Sequence, residues 1–321
     1  MDTPAERNAI VPEAASPVVL CAGLSCVDHI WQVERFPPAG SRTDASGYRL
    51  QGGGPAATAA VTVARLGGRP HLWALHGDDP AGRFALAELE RLGVDTSGVR
   101  VTPGAVSWVS GVLVAPDGER YIFPYRGSGL DDRPPASVTS PPPGALLVDF
   151  RHPNLCRAAL DWAAARGVPS IGDLGTARYW EESEGLDVVI ASEECAREVL
   201  GRSDPESALA AMRWRPGQYV GVTLGTEGYL YDAGAGVHYL PAHEVEAVDT
   251  TGAGDVFHGA YAFGMASGWG PERCAELALV CAALSCTGVG RSAIPTLVEV
   301  EQALKERPAR PTQASAPRRA R

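Results

Sequence analysis

The chain is short of several things, and each shortage narrows what it can be. Its seven cysteines (Cys21, Cys26, Cys156, Cys195, Cys274, Cys281 and Cys286) include no C-x-x-C pair. Neither a zinc ribbon nor a dithiol redox motif is therefore written into it. Their number is odd and most lie in apolar runs such as LALVCAALSC, which favours core thiols in a reducing cytoplasm. No apolar run reaches the roughly 18 residues of a membrane span. The opening stretch, MDTPAERNAIVPEAASP, has no basic segment leading into an apolar one and does not read as a signal peptide. Positive charge is scarce: 28 Lys and Arg stand against 38 Asp and Glu, a net of −10. That balance disfavours nucleic acid and anionic membrane as partners, while leaving room for a phosphorylated ligand held by a local turn. No G-x-G-x-x-G follows the first predicted strand, which argues against a dinucleotide-dependent dehydrogenase. There is no internal repeat and no long low-complexity linker.

What is present is a chain of 321 residues, 45% hydrophobic and 21% charged, enough to pack one large α/β domain. PVVLCAGLS (17–25) reads as a buried strand. A polar excursion broken by Pro37, Pro38 and Gly40 follows, and then GGGPAATAAVTVARLG, a glycine turn opening a helix at Pro55. RPHLWALHG reads as a strand, and AGRFALAELERLG as a helix closed by Gly93. AVSWVSGVLVAPDGERYIFPY (105–125) alternates and turns at Pro116-Asp117-Gly118, the pattern of a hairpin. From residue 145 the pattern becomes regular: ALLVDF, VPSIGD, DVVIAS and QYVGVTLG are strands, with helix PNLCRAALDWAAARG after the first and helix EECAREVLG after the third. GYLYDAG with GVHYLPA forms a hairpin, and two helices occupy 253–268 and 271–286. The expected fold is a Rossmann-like α/β/α sandwich around a mostly parallel sheet. A small β-sheet lid from about 30–51 and 105–125 is expected on a single domain spanning 17–305, with flexible tails at 1–16 and 306–321.

The stretch VDTTGAGDVFHGA carries the most chemistry. A glycine turn at the head of a helix offers unpaired main-chain N–H groups and the positive end of the helix dipole. A carboxylate placed there is poor at binding an anion but useful as a proton acceptor. Asp255 therefore reads either as a general base beside an anion hole of Gly252, Ala253 and Gly254, or as a helix-capping Asp.

DTTGAGDVFHGA resembles the C-terminal signature of the ribokinase-like (PfkB) carbohydrate kinases, and GGGPAATAAVTVARLGG (52–68) resembles their N-terminal glycine signature. The resemblance runs over roughly residues 17–300 and preserves the motif order. It implies ATP-dependent phosphorylation of a sugar hydroxyl, with Asp255 as base and Gly252, Ala253 and Gly254 around the transferring phosphate. It implies sugar contacts from Asp28, Gly53 and Gly54, and a nucleotide-binding turn with Thr223, Gly225 and Gly228. Asp249 and GVGRSAIP lie where some members bind a monovalent cation such as potassium. The bland readings remain: Asp28 as a strand-end carboxylate, Gly53 and Gly54 as a loop, TLGTEG as a turn between strands. One motif departs from the family. Where many relatives carry Asn-x-x-Glu, this chain has Ser192-Glu193-Glu194-Cys195, so magnesium is expected with ATP, reached by Glu193 or Glu194 through water or held by the nucleotide.

Within the family, the motifs are most similar to those of sulfofructose kinase. This implies 6-deoxy-6-sulfofructose as substrate, phosphorylated at carbon 1. Arg151, after the ALLVDF strand, and Arg42, in the lid, are the arginines expected to read a sulfonate. Asp173 is either a sugar ligand or a helix cap. The alternatives are a kinase of fructose, a 6-phospho-ketose, ribose or a nucleoside, or a non-catalytic sugar- or nucleotide-sensing protein. Pairing of two lids would give a cytoplasmic homodimer.

Overall fold

The computed structural model describes residues 16–115, 120–135, 141–201 and 205–306. The expected hairpin turn at Pro116-Asp117-Gly118 and most of both expected tails fall outside them. The chain enters through β1 (Val18–Ala22) and passes without a helix into β2 (Cys26–Gln32), then β3 (Gly47–Gly53). Helix α1 (Pro55–Arg65) has Pro55 in its first turn, where a missing N–H costs nothing. β4 (Arg69–Trp73) and the short β5 (Leu75–Gly77) lead to α2 (Pro80–Arg91), whose Asp79 cap accepts a hydrogen bond from the Gly82 N–H at 2.9 Å. β6 (Arg100–Thr102), β7 (Val109–Val114) and β8 (Arg120–Tyr125) follow.

The second half is regular: β9 (Ala145–Val148), α3 (Pro153–Ala164), β10 (Ser170–Leu174), β11 (Val188–Ser192), α4 (Glu193–Leu200), α5 (Pro205–Met212) and β12 (Tyr219–Thr223). A hairpin of β13 (Tyr229–Asp232) and β14 (Val237–Leu240) precedes α6 (Ala253–Ala266), α7 (Pro271–Ser285) and α8 (Leu297–Glu306).

The main sheet runs β14-β13-β12-β11-β10-β9-β1-β4, parallel except for the β13–β14 hairpin at one edge. Strand residues alternate between two cores. Val19 and Cys21 of β1 pack with α1, α6 and α7, whereas Leu20 and Ala22 pack with α3, α4 and α5. The expected α/β sandwich is therefore present, with helices on both faces. From β1 the chain goes outward to β4 and later returns to β9 on the other side of β1. That reversal opens a crevice at the carboxyl ends of β1 and β9, the place where sheets of this kind bind ligands.

A separate four-stranded sheet, β3-β2-β7-β8, stands over this crevice, with β2 and β7 parallel and the outer pairs antiparallel. β2 is a regular strand, although its CVDHIWQ sequence lies at the start of a polar excursion. The seven cysteines are all free and buried. Among the described residues no helix is long and apolar enough to cross a membrane.

Candidate active site

The site is assembled around the reversal in the sheet. Asp149, at the end of β9, is fully buried. Its carboxylate accepts main-chain N–H groups from Leu24 at 2.8 Å, Ala56 at 3.0 Å and Arg151 at 2.8 Å. One side chain thus ties the β1–β2 turn, the head of α1 and the β9–α3 turn together. Burial pushes its carboxyl up to about 6, opposed by Arg151 and by the three N–H donors. The next residue, Phe150, has a positive φ of 57°, a strained geometry that this stapled turn sustains. Nothing in the sequence pattern singled out Asp149.

The glycine turn before α1 is set by close approach. A Cβ on Gly53 would lie 2.1 Å from an Asp28 carboxylate oxygen. Gly54 has φ 95°, and its Cβ would lie 2.4 Å from the Leu24 carbonyl oxygen. A side chain at either position forces the turn off Asp28 or off the β1–β2 turn. Asp28, half-buried on β2, has its carboxyl raised chiefly by burial, with Ser110, the Cys26 thiol and the Arg291 charge pulling the other way.

Behind this turn stands Arg291, buried in the GVGRSAIP segment. Its guanidinium donates to the Gly53 carbonyl at 2.7 Å and to Thr58 Oγ1 at 3.2 Å, and pairs with Glu88 of α2 at 3.0 Å. Removing Glu88 would leave a buried guanidinium short of its counter-charge. Glu88→Ala is expected to lower stability by about 3 kcal/mol, read as an earlier midpoint in chemical denaturation. An unchanged midpoint would show that the pair contributes nothing.

Helix α6 opens at Gly252, which takes a left-handed φ of 79°. Asp255 follows in the first turn, half-buried, and lines a small cavity of 60 Å3 together with Asp28, Gly53, Thr58 and Arg291. Burial drives the Asp255 carboxyl well above the ordinary carboxylate range; the charges of Asp173 and Asp149 add to this, and those of Arg151 and Arg291 oppose it. Asp173, at the end of β10, is buried and lies 3.6 Å from His258 Nδ1, one turn along α6. His258 also contacts the carbonyls of Gly254 at 2.7 Å and Ile190 at 3.2 Å, which fixes α6 against the sheet. Asp173 thus sits beneath Asp255, and it is not among the residues lining either cavity of the cleft.

The small cavity shares Asp28, Gly54 and Thr251 with a larger one of 730 Å3 between the main sheet and the overhanging sheet. That volume suits a small ligand. Its wall carries Arg49, Arg120, Arg126 and Arg151. Arg126 lies over the Trp108 ring at 5.0 Å and Arg151 over the Tyr179 ring at 5.5 Å. Neither guanidinium pairs with a carboxylate among the described residues. Arg42, in contrast, is exposed on the loop between β2 and β3 and does not line the cavity. His152 is buried against Trp108, and burial pushes it down to about 4, so it is a neutral packing residue.

The remaining sequence candidates lie along the same edge of the sheet. Thr223 ends β12 and is the register partner of Ser192, which ends β11. Gly225 and Gly228 bound the short helical turn that follows Thr223. Ser192 caps α4 by accepting the Cys195 N–H at 3.1 Å. Glu193 pairs with Arg197 at 3.0 Å, and Glu194 is exposed. Burial and nearby carboxylates push the Cys195 thiol up to about 12, so it offers no thiolate. Among the described residues no three acidic, histidine or cysteine side chains form a metal cluster. Of the two glutamates expected near magnesium, Glu193 is taken up by Arg197, and the exposed Glu194 is the carboxylate open to a magnesium that arrives with its own phosphate ligands. Asp249, the expected monovalent-cation ligand, has its Oδ2 paired with Arg49 at 3.2 Å and its Oδ1 accepting the Thr251 N–H at 2.9 Å.

Comparison with known proteins identifies the family. The profile described as pfkB family carbohydrate kinase matches residues 17–297. The chain belongs to that family, and it is an ATP-dependent carbohydrate kinase. It is 29% identical to the ATP-dependent ribose-1-phosphate kinase of Halopiger xanaduensis, over 90% of this chain and 98% of that one. It is 28% identical to the ribokinase of Bacillus subtilis, over 89% of this chain and 99% of the relative. A solved structure of a protein described as a candidate ribokinase from Agrobacterium tumefaciens superposes with a TM-score of 0.84 at 34% identity, covering 91% of this chain and 98% of that one.

Proposed function

We propose that the protein transfers the γ-phosphoryl group of ATP to a hydroxyl of a small sugar that carries an anionic group, with Asp255 as general base. The observation that carries the anionic part is the pair Arg126 and Arg151. Two guanidinium groups without carboxylate partners among the described residues face one cavity, in a protein whose net charge is −10. A guanidinium stacked on an aromatic ring is pre-oriented and presents its edge to a tetrahedral oxyanion. Phosphate and sulfonate share that shape. The reading covers 6-deoxy-6-sulfofructose phosphorylated at carbon 1, and equally a ribose or ketose phosphate; a ribose-1-phosphate kinase stands among the relatives.

In this reading the sugar lies against Gly53 and Gly54 with a hydroxyl bonded to Asp28. The attacking hydroxyl loses its proton to Asp255 as its oxygen bonds to the γ-phosphorus and the bond to the β-phosphate oxygen breaks. The N–H groups of Gly252 and Gly254 receive the charge on the moving phosphoryl oxygens, whereas the Ala253 N–H, expected to share that role, donates to the Thr250 carbonyl at 3.3 Å. Thr223, Gly225 and Gly228 hold the nucleotide. Magnesium bound with ATP would neutralise phosphate charge, and Glu194 would hold it through water. The test is a coupled ADP assay over 6-deoxy-6-sulfofructose, ribose 1-phosphate, fructose 6-phosphate, fructose, ribose and adenosine. Higher kcat/KM for the anionic sugars is expected; preference for a neutral sugar or a nucleoside would refute the reading.

The outer face of the overhanging sheet supports the homodimer expected from the lid. Tyr48, Tyr121, Phe123 and Tyr125 share that face and are each at least 50% exposed. An apolar face of this kind is normally covered. Sedimentation should show a dimer that Phe123→Asp converts to a monomer, and a monomeric wild type would contradict it.

A further inference from the structure

The four cavity arginines divide by what they hold. Arg126 and Arg151 rest on aromatic rings. Arg49 and Arg120 are committed to one short segment of backbone on the far side of the cavity. Arg49 donates through Nη2 to Asp249 Oδ2 at 3.2 Å and through Nε to Gln51 Oε1 at 3.0 Å. Arg120 donates through Nη1 to Thr251 Oγ1 at 2.8 Å. β3 and β8, which carry them, are the two edges of the overhanging sheet. Both edges therefore reach across the cavity to the turn 249–251, which runs directly into Gly252.

Otherwise the turn is held by a few main-chain bonds, among them the Ala253 N–H to the Thr250 carbonyl at 3.3 Å. The N–H groups of Val248 and Asp249 share the single carbonyl of Cys286, at 2.7 and 3.1 Å. Asp249 uses its second oxygen to accept the Thr251 N–H at 2.9 Å. Its carboxylate thus translates the position of Arg49 into the shape of the turn. A monovalent cation at this carboxylate would compete with a guanidinium that is covalently tethered and only about a third exposed, with a side-chain exposure of 31%. The residues present therefore do not fit a potassium site at Asp249.

We propose that Arg49 and Arg120 are positioning residues that latch the lid to the 249–251 turn, and that the Arg49 guanidinium stands in for a monovalent cation. Phosphoryl transfer in this protein is then independent of potassium. The fixed charge neutralises Asp249 only while the lid covers the cavity, so the N–H donors of Gly252 and Gly254 are set in place when sugar is enclosed. Potassium would supply the same neutralisation whether the lid were open or closed. The proposal rests on reading Gly252 and Gly254 as donors to the moving phosphoryl group.

The experiment compares wild type, Arg49→Ala, Arg49→Lys and Arg120→Ala in KCl and in choline chloride at equal ionic strength. It records kcat, sugar KM and thermal midpoint, with far-UV circular dichroism to check folding. Wild type should show the same kcat and the same midpoint in both salts. Arg49→Ala should lose about tenfold in kcat, with sugar KM changing far less. KCl, and not choline, should raise both its kcat and its midpoint, because the carboxylate is now open. Arg49→Lys should keep most of the wild-type kcat, and Arg120→Ala should lower kcat in either salt. The proposal is overturned if wild type is activated or stabilised by KCl over choline. It is also overturned if Arg49→Ala changes only sugar KM, or is as indifferent to KCl as wild type. Asp255→Asn is assayed alongside: turnover kept there would remove the anion-hole reading itself, whereas the salt response tests only the latch.

Discussion

Asp255→Asn should lower kcat by about 10²- to 10⁴-fold, the usual share of a positioned general base, while nucleotide affinity measured by calorimetry stays near wild type. The amide keeps the size and polarity of the side chain and removes only its ability to take a proton. The environment adjusts the carboxylate for that work. Burial beside Asp173 and Asp149 raises its pKa, which makes it a stronger base than a surface aspartate; Arg151 and Arg291 limit the rise. The sign of the pH dependence follows. The base is active when deprotonated, so kcat/KM falls as pH falls through the raised pKa. The acid limb should therefore lie above the range of an ordinary aspartate, which is about 4. Asp173→Asn, by removing a like charge, should move that limb to lower pH. A limb at the ordinary aspartate position, or turnover surviving in Asp255→Asn, would disprove the assignment.

Arg126→Ala and Arg151→Ala should each cost about 10- to 100-fold in kcat/KM with an anionic sugar, the value of one hydrogen bond to a charged group. The cost with a neutral sugar should be several-fold at most. The argument depends on a difference between substrates because each arginine also packs on an aromatic ring, and its removal disturbs Trp108 or Tyr179. At Arg126 that disturbance reaches every substrate and the missing charge only anionic ones; at Arg151 the missing charge also lets the Asp255 pKa rise further, an effect common to all substrates that assay above the acid limb removes. Equal losses for neutral and anionic sugars would leave packing as the sole role of these residues. The pair should be additive if each holds a separate oxygen and less than additive if they share one.

Much of the main sheet was open to reading from the chain alone. Buried parallel strands such as VVLCA and VVIAS are short apolar runs, and the helices between them carry their period and their caps in sequence. Two helices leave little trace in the sequence. α5 begins at Pro205 with a small-residue PESALAAM pattern, and α8 is a polar LVEVEQALKE segment with only Val300 buried. β2 was obscured because one face of its CVDHIWQ meets the cavity and the other solvent, which leaves no apolar run to see.

The split between sequence and structure is sharpest at the site. Asp255 with its glycine turn, and Gly53 and Gly54 beside α1, could be identified because each motif is contiguous: main-chain donors and the residue that uses them are neighbours in the chain. The residues that surround them come together only on folding. Arg291 meets Gly53 across 238 positions, Arg49 meets Asp249 across 200, and Arg120 meets Thr251 across 131. Arg42, chosen from sequence for its place in the lid, is exposed on a loop, while Arg49 on the same excursion lines the cavity. Local sequence set the backbone turns and the position of the candidate base, because those depend on φ, ψ and helix ends. Which arginine faces the ligand, which carboxylate is buried and what charge stands against it were decided by strand register and sheet order, which alone bring distant side chains within Coulombic reach.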